Sequence, residues 1–86
     1  MVLFEVYAKL NENGGVLSDE LKQETGAVEM SVAEAEQLGF GGLPDAIKAA
    51  SPRLIAVNPK EAGYIRHRLE NDPAVHQFRI HEVSTS

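Results

Sequence analysis

Cysteine and tryptophan are both absent from the 86 residues of this chain. Without cysteine, the chain can form no disulfide, no thiolate zinc site and no iron–sulfur cluster, and it has no cysteine nucleophile. Only three Phe and two Tyr supply aromatic rings, so the core must rest on Val, Ile, Leu and Ala. These absences exclude disulfide-rich scaffolds and fit a protein of the reducing cytoplasm.

Long apolar runs are also lacking. The most apolar internal stretch, LIAV at 54–57, is far shorter than the roughly 20 residues that span a bilayer. The opening segment MVLFEVYAKL has no basic region ahead of an apolar one, which a signal peptide would need. We therefore expect a soluble cytoplasmic protein that does not associate with membranes.

Positive charge is scarce, and the chain carries a formal net charge of −5. The deficit lies in residues 1–45, with nine acidic and two basic residues, whereas residues 46–86 have four acidic and six basic ones. A net negative charge argues against non-specific binding to nucleic acid. The expected partner is another protein or a second copy of this chain, and a nucleic-acid-binding module using the more basic second half is the alternative.

The length and the element pattern predict a single domain over residues 1–86, with a short polar tail at 84–86. The strand–helix order is typical of an α+β, or small α/β, fold. Residues 2–10 alternate with a period of two and predict a strand. Residues 17–26 fit a short helix capped by Ser18 or an irregular polar excursion. The remaining elements are expected at 27–30 (strand), 31–39 (helix), 43–50 (short helix), 53–57 (strand), 58–70 (helix) and 75–83 (strand).

The arrangement of these elements is predicted from their order. The strand at 53–57, the helix after it and the strand at 75–83 are interpreted as a right-handed βαβ unit with parallel strands. We expect a mixed sheet of three to four strands with the two main helices on one face. The other face should be partly solvated, because two strands carry polar residues there.

No residue set predicts catalysis. His67, His76 and His81 have a spacing that does not direct them to one metal ion. The serines and threonines lie in cap or turn positions, and no carboxylate pair has the apolar frame that acid–base chemistry needs. The sequence therefore predicts no catalytic residue, no metal site and no cofactor.

Two surfaces are candidates for binding a partner. If the first and last strands are neighbours, five side chains share the solvated sheet face: Tyr7, Lys9, Gln77, Arg79 and His81. The second candidate is the exposed side of the last helix, with Tyr64, Arg66, His67 and Arg68. Tyr and Arg are favoured anchors of protein interfaces. The sequence favours a small acidic accessory or regulatory domain that acts through protein–protein contact.

A small-anion sensor is a further alternative. Ser31 and Asn58 begin helices that follow strands, and Lys60 adds a positive charge, so both helix starts could attract an anion. However, Glu34 and Glu61 lie in the first turns, where a carboxylate already interacts with the helix dipole and repels a second anion. We therefore interpret both starts as helix caps.

Overall fold

The computed structural model describes residues 2–12, 14–39, 45–50 and 52–82. They form an α+β fold in which a four-stranded antiparallel sheet, of order β2-β3-β1-β4, carries the helices. The elements are β1 (Val2–Ala8), α1 (Asp19–Thr25), β2 (Val28–Met30), α2 (Val32–Gln37), α3 (Asp45–Ala50), β3 (Arg53–Val57), α4 (Pro59–Glu70) and β4 (Val75–Glu82). The predicted tail at 84–86 and the helix start at 43–44 lie outside the described residues.

The predicted parallel βαβ unit and the mixed sheet are wrong. β3 and β4 both pair with β1, and both pairings are antiparallel. The two strands that α4 connects therefore point the same way but are separated by β1. The sequence left the strand order open, and β1, which is buried from Val2 to Val6, has a neighbouring strand on each side. The amino-terminal strand thus takes the central place between them.

The prediction that both main helices share one face is also wrong. α4 contributes Ile65 and Leu69 to a core cluster with Phe4, and α1 contributes Leu21 to the same cluster. α2 instead packs Ala35 on the opposite face of the sheet, in a second cluster with Leu3, Leu54 and Ala56. The cause is β3, whose residues 54–57 are all buried and are apolar on both faces. Such a strand needs cover on each side.

Helix caps account for the boundaries of α1 and α2. Ser18 accepts a hydrogen bond from the Leu21 N–H, and Gly26 ends α1 at a φ of 69°. Residues 19–25 are therefore the short helix, the first of the two interpretations offered by the sequence. In α2, Ser31 and Glu34 form the predicted capping box. Leu38, the C-cap residue of α2, is 65% exposed.

Two glycines predict opposite effects of the same substitution. Neither Gly63 nor Gly26 has any atom within 4 Å of an added Cβ, but only Gly26 has a positive φ. Gly63→Ala should raise the free energy of unfolding by about 0.5–1 kcal/mol, because Gly63 lies inside α4. Gly26→Ala should lower it by about 1–2 kcal/mol, because a Cβ is strained in the left-handed region. Urea unfolding of both variants tests this, and the same sign for both would contradict it.

None of the described helices is long and apolar enough to cross a membrane. The Cα radius of gyration is 12.0 Å, about the value expected for a compact domain of this length. The two faces of the sheet are covered by different helices: α1 and α4 pack on the face with Phe4, and α2 packs on the face with Leu3.

Candidate functional site

The pairing of β1 with β4 brings most of the predicted sheet-face residues together. Leu3 lies opposite His81, Glu5 opposite Arg79, and Tyr7 opposite Gln77. Directly opposite residues of antiparallel strands project from the same face. That face is the one that carries α2. We refer to the following five residues as the polar sheet face: Glu5, Tyr7, Gln77, Arg79 and His81.

Lys9, the remaining member of the predicted set, lies just beyond the end of β1. The register shifts between Tyr7 and Ala8, and β1 ends there. Lys9 follows as an exposed residue whose backbone N–H donates to the Ala74 carbonyl at 2.9 Å. The extra residue at this shift is His76 on β4, since Tyr7 pairs with Gln77 and Ala8 with Val75, so Lys9 lies where the regular pairing of β1 with β4 has ended.

Glu5 lies at the centre of the polar sheet face and is only 2% exposed. The Tyr7 hydroxyl donates to Oε2 of Glu5, and His81 Nε2 is 2.9 Å from Oε1. An ionised carboxylate can only accept, so His81 Nε2 must carry the hydrogen. Both carboxylate oxygens therefore have a donor. Cross-strand hydrogen bonds hold Tyr7 and His81 in place around a buried anion.

The hydrogen bonds to Glu5 outweigh its burial. Burial alone would raise the pKa of this carboxyl, but the Tyr7 and His81 hydrogen bonds, together with the His81 and Arg79 charges, lower it below its ordinary value. The hydrogen bond to Glu5 raises the pKa of Tyr7. At neutral pH the site therefore holds a carboxylate and a protonated tyrosine, so the donor and acceptor roles are fixed.

A shallow depression of about 300 Å³ opens beside this cluster. Its walls come from the sheet and from α3, which contributes Ala46 and Ile47. Arg79 lines it as an exposed residue. No hydrogen bond joins the Arg79 guanidinium to any residue in the described ranges, and the Glu5 carboxylate attracts it electrostatically. The depression therefore presents an exposed planar cation near an aromatic ring.

The hydrogen bonds of Glu5 determine which groups of this surface remain exposed. Each oxygen of the Glu5 carboxylate accepts one hydrogen bond, from Tyr7 or from His81, so this buried group orders two neighbouring side chains. The groups left for a partner are the Arg79 guanidinium, the Gln77 amide and the ring of Tyr7. Arginine and tyrosine at the centre of a contact are typical protein-interface anchors.

The second predicted surface, on α4, lies away from the first. α4 packs against the opposite sheet face through Ile65 and Leu69, so its exposed side does not adjoin the polar sheet face. Tyr64 is 46% exposed, as predicted for a contact residue. Arg66 is paired with Glu70 at 3.0 Å within the helix. Its charge is therefore partly balanced inside the protein.

A larger groove, of about 460 Å³, runs between α1 and the end of α4 and includes the residue types of a catalytic triad. Its lining includes Ser18, His67 and Asp72. However, Ser18 Oγ accepts from the Leu21 N–H as a helix cap, and Asp72 Oδ1 accepts from the Ala74 N–H at 2.9 Å. The serine and the aspartate are thus used in caps and turns, which explains them without catalysis.

The helix starts proposed for an anion already have acceptors. Ser31 Oγ accepts from the Glu34 N–H at 3.2 Å, and the Ser31 N–H donates to Glu34 Oε1 at 3.1 Å. This backbone hydrogen bond lowers the pKa of Glu34, so a carboxylate occupies the start of α2. At α4, Asn58 Oδ1 accepts from the Lys60 N–H at 3.0 Å. Neither start contains an unpaired buried polar group.

The sequence did not predict that two carboxylates, those of Glu5 and Glu29, are buried. Period-two alternation places Glu5 with Tyr7 on the face that was expected to be solvated, yet Glu5 is buried. Glu29 has a side chain that is 1% exposed, and it accepts from the N–H groups of Val16 and Leu17. No local pattern marks Glu29, because its partners are more than ten residues away. Among the described residues, no group of three or more His, Asp and Glu side chains could hold a metal ion.

Compared with models of known protein families, with curated proteins and with solved structures, the chain shows no significant match. The fold and the site geometry are therefore the basis for a function.

Proposed function

We propose that this chain is a non-catalytic accessory or regulatory domain that binds another protein through the polar sheet face. The observation that carries the proposal is the Arg79 guanidinium. It is exposed and has no hydrogen-bond partner among the described residues, and it lies opposite the buried carboxylate of Glu5. The attraction of that carboxylate holds the cation at the surface. A carboxylate or backbone carbonyl of a partner would complete its hydrogen bonds.

The rigidity of the neighbouring groups supports this role. Tyr7 and His81 are held by Glu5, so their positions need little further ordering when a partner binds. A side chain that is already ordered avoids about 0.5–1.5 kcal/mol of entropy loss on binding. Gln77, beside Tyr7, adds an exposed amide that can both donate and accept. The surface thus combines ordered anchors with an adaptable polar group.

Nucleic acid fits this surface less well than protein does. Single-stranded nucleic acid is bound by several stacking aromatics in a positively charged groove. The polar sheet face has one aromatic ring, a buried anion at its centre, and a net charge of −5 on the chain around it. A phosphate approaching Arg79 would also meet the field of Glu5. A protein partner needs only local complementarity.

Quantitative affinity purification from the native host tests the proposal. The Tyr7→Ala/Arg79→Ala double variant should lose the proteins that the wild type retains, because it removes both anchors. The Arg66→Ala/Arg68→Ala variant is the matched control, since it removes two cations from α4 on the other side of the sheet. It should retain the same proteins. Treatment with nuclease before capture separates protein contacts from contacts through nucleic acid.

Two outcomes would contradict the proposal. Retention of every partner by the Tyr7→Ala/Arg79→Ala variant would remove the polar sheet face as the contact surface. Loss of all partners after nuclease treatment would favour the nucleic-acid alternative. Circular dichroism and urea unfolding of both variants establish that they fold.

A further inference from the structure

The two edges of the sheet differ greatly in length. β2, at one edge, has three residues, whereas β4, at the other, has eight. β4 contains no proline, and within the described part of the chain only β1 pairs with it. Short strands and prolines are among the features by which proteins protect exposed edges. By strand length and proline content β2 is protected, whereas β4 is open to pairing beyond the irregularity at His76 near its start.

β4 also carries apolar residues to this edge. Phe78 is half-buried and stacks on Phe4, with ring centroids 6.2 Å apart and an interplanar angle of 11°. Ile80, two residues further on the same face, is 43% exposed. The helices that cover this face contribute their buried residues around β1 and β3. An apolar row therefore continues from the core towards the open edge.

The charges along β4 favour one way of pairing it with itself. In an antiparallel pair centred on Phe78, Gln77 lies opposite Arg79 of the second copy, and His76 lies opposite its Ile80. A pair centred on Arg79 would place two guanidinium groups opposite each other, which is destabilising. A pair centred on Ile80 would place Arg79 opposite His81. Only the Phe78-centred pair combines an aromatic contact with two amide–guanidinium contacts and no like charges directly opposite.

We propose that β4 pairs antiparallel with β4 of a second copy, about a two-fold axis at Phe78, to form an eight-stranded sheet. A second copy suits this edge because the pattern is complementary to itself, and because β4, with one arginine, one glutamate and two histidines, lacks the excess of acidic residues that the whole chain carries. Each Gln77 amide oxygen would accept one of the five N–H donors of the partner's Arg79. The remaining donors stay available at the polar sheet face.

Light scattering across a concentration series tests the pairing. The wild type should approach twice the 9.4 kDa chain mass as concentration rises. Ile80→Lys should weaken the dimer roughly tenfold or more, because the two-fold symmetry introduces two lysines into the β4–β4 interface. Val28→Lys is the matched control: Val28 is 52% exposed on β2, at the other edge, and its change should leave the mass unchanged. A chain that stays monomeric, or a dimer disrupted by Val28→Lys alone, would overturn the proposal.

A cysteine pair tests the register, since the chain has no cysteine of its own. In the Phe78-centred pair, residue 76 faces residue 80 of the second copy, with Cα atoms about 4.5–5.5 Å apart, within disulfide range. His76→Cys/Ile80→Cys should therefore oxidise to a covalent dimer, and neither single variant should. Within one strand the two positions are about 13 Å apart and cannot bond. If Ile80→Lys abolishes the dimer but His76→Cys/Ile80→Cys does not cross-link, β4 is the interface and the Phe78-centred register is wrong. These readouts of mass do not depend on the partner proposed for the polar sheet face.

Discussion

Replacing Glu29 with glutamine is expected to lower the free energy of unfolding by about 2–4 kcal/mol. Its carboxylate accepts from the backbone N–H groups of Val16 and Leu17 at 2.9 Å and from Arg53 Nε at 3.0 Å. Glutamine would turn an N–H donor towards one of these donors and remove the charge that Arg53 pairs with. The effect is a large share of the roughly 4–13 kcal/mol expected for a domain of this size.

Urea unfolding measures this loss, with Glu24→Gln as the control. Glu24 is an exposed glutamate of α1 without a hydrogen bond or ion pair to the described residues. Its substitution should change the free energy of unfolding by no more than about 0.5 kcal/mol. Equal stability of the two variants would show that the buried carboxylate does not hold the segment at 15–17 to β2.

Gly15 provides an independent check of the same contact. A Cβ added to Gly15 would collide with the Glu29 carboxylate and lie 3.0 Å from its Cδ. Gly15→Ala should therefore destabilise the wild type, but much less so in a Glu29→Ala background, where the obstructing group is gone. A double-mutant cycle measures this coupling. Additive effects would mean that the cost of the alanine has another origin.

Local signals in the sequence were sufficient for most of the elements. Ser18, the Ser31–Glu34 capping box and Asn58 each start a helix where predicted, because an N-cap is a contact between residues two to three positions apart. Gly26 and Gly39 have the positive φ values that end a helix. Period-two alternation placed β1 and β4 to within two residues at their ends. Interactions of short range can be predicted from sequence patterns.

The sheet order could not be predicted in the same way. Strand pairing is a contact between distant residues, such as Phe4 with Ile55 and Ile80, and no pattern within one strand specifies its neighbours. The apolar character of β3 on both faces did carry the relevant information. A strand buried on both sides requires helices on both sides, which already contradicts placing α2 and α4 together.

The candidate site was predicted in part for the same reason. Alternation along β4 correctly grouped Gln77, Arg79 and His81, and the pairing with β1 brings Tyr7 beside them. The role of Glu5 depends on the Tyr7 and His81 hydrogen bonds and on cover from α3, all of them tertiary. A charged residue on a strand was therefore assigned to solvent, whereas it is the buried centre of the cluster.

The second large effect is expected at Glu5, where Glu5→Gln should lower the free energy of unfolding at neutral pH by about 1–3 kcal/mol. The groups that face its carboxylate are Tyr7, His81 and Arg79 from the sheet, while α3 contributes only apolar side chains to the same depression. Glutamine keeps one acceptor oxygen but loses the charge that holds the imidazole and the guanidinium. It also sets an amide donor against one of the two existing donors.

The pH dependence distinguishes loss of this charge from loss of packing. The pKa of Glu5 in the folded protein is below its ordinary value of 4.5. Its contribution to stability is therefore fully present above about pH 4.5 and is lost as the pH falls through the folded-state pKa. In urea unfolding, the difference in stability between the wild type and Glu5→Gln should keep its full size from about pH 7 to about pH 4.5 and narrow as the pH falls from there to about pH 3. Glu34→Gln, at an exposed carboxyl whose pKa is also lowered, is the control and should show a smaller convergence. A gap between the wild type and Glu5→Gln that stays constant over this range would mean that the carboxylate charge contributes nothing to the cluster.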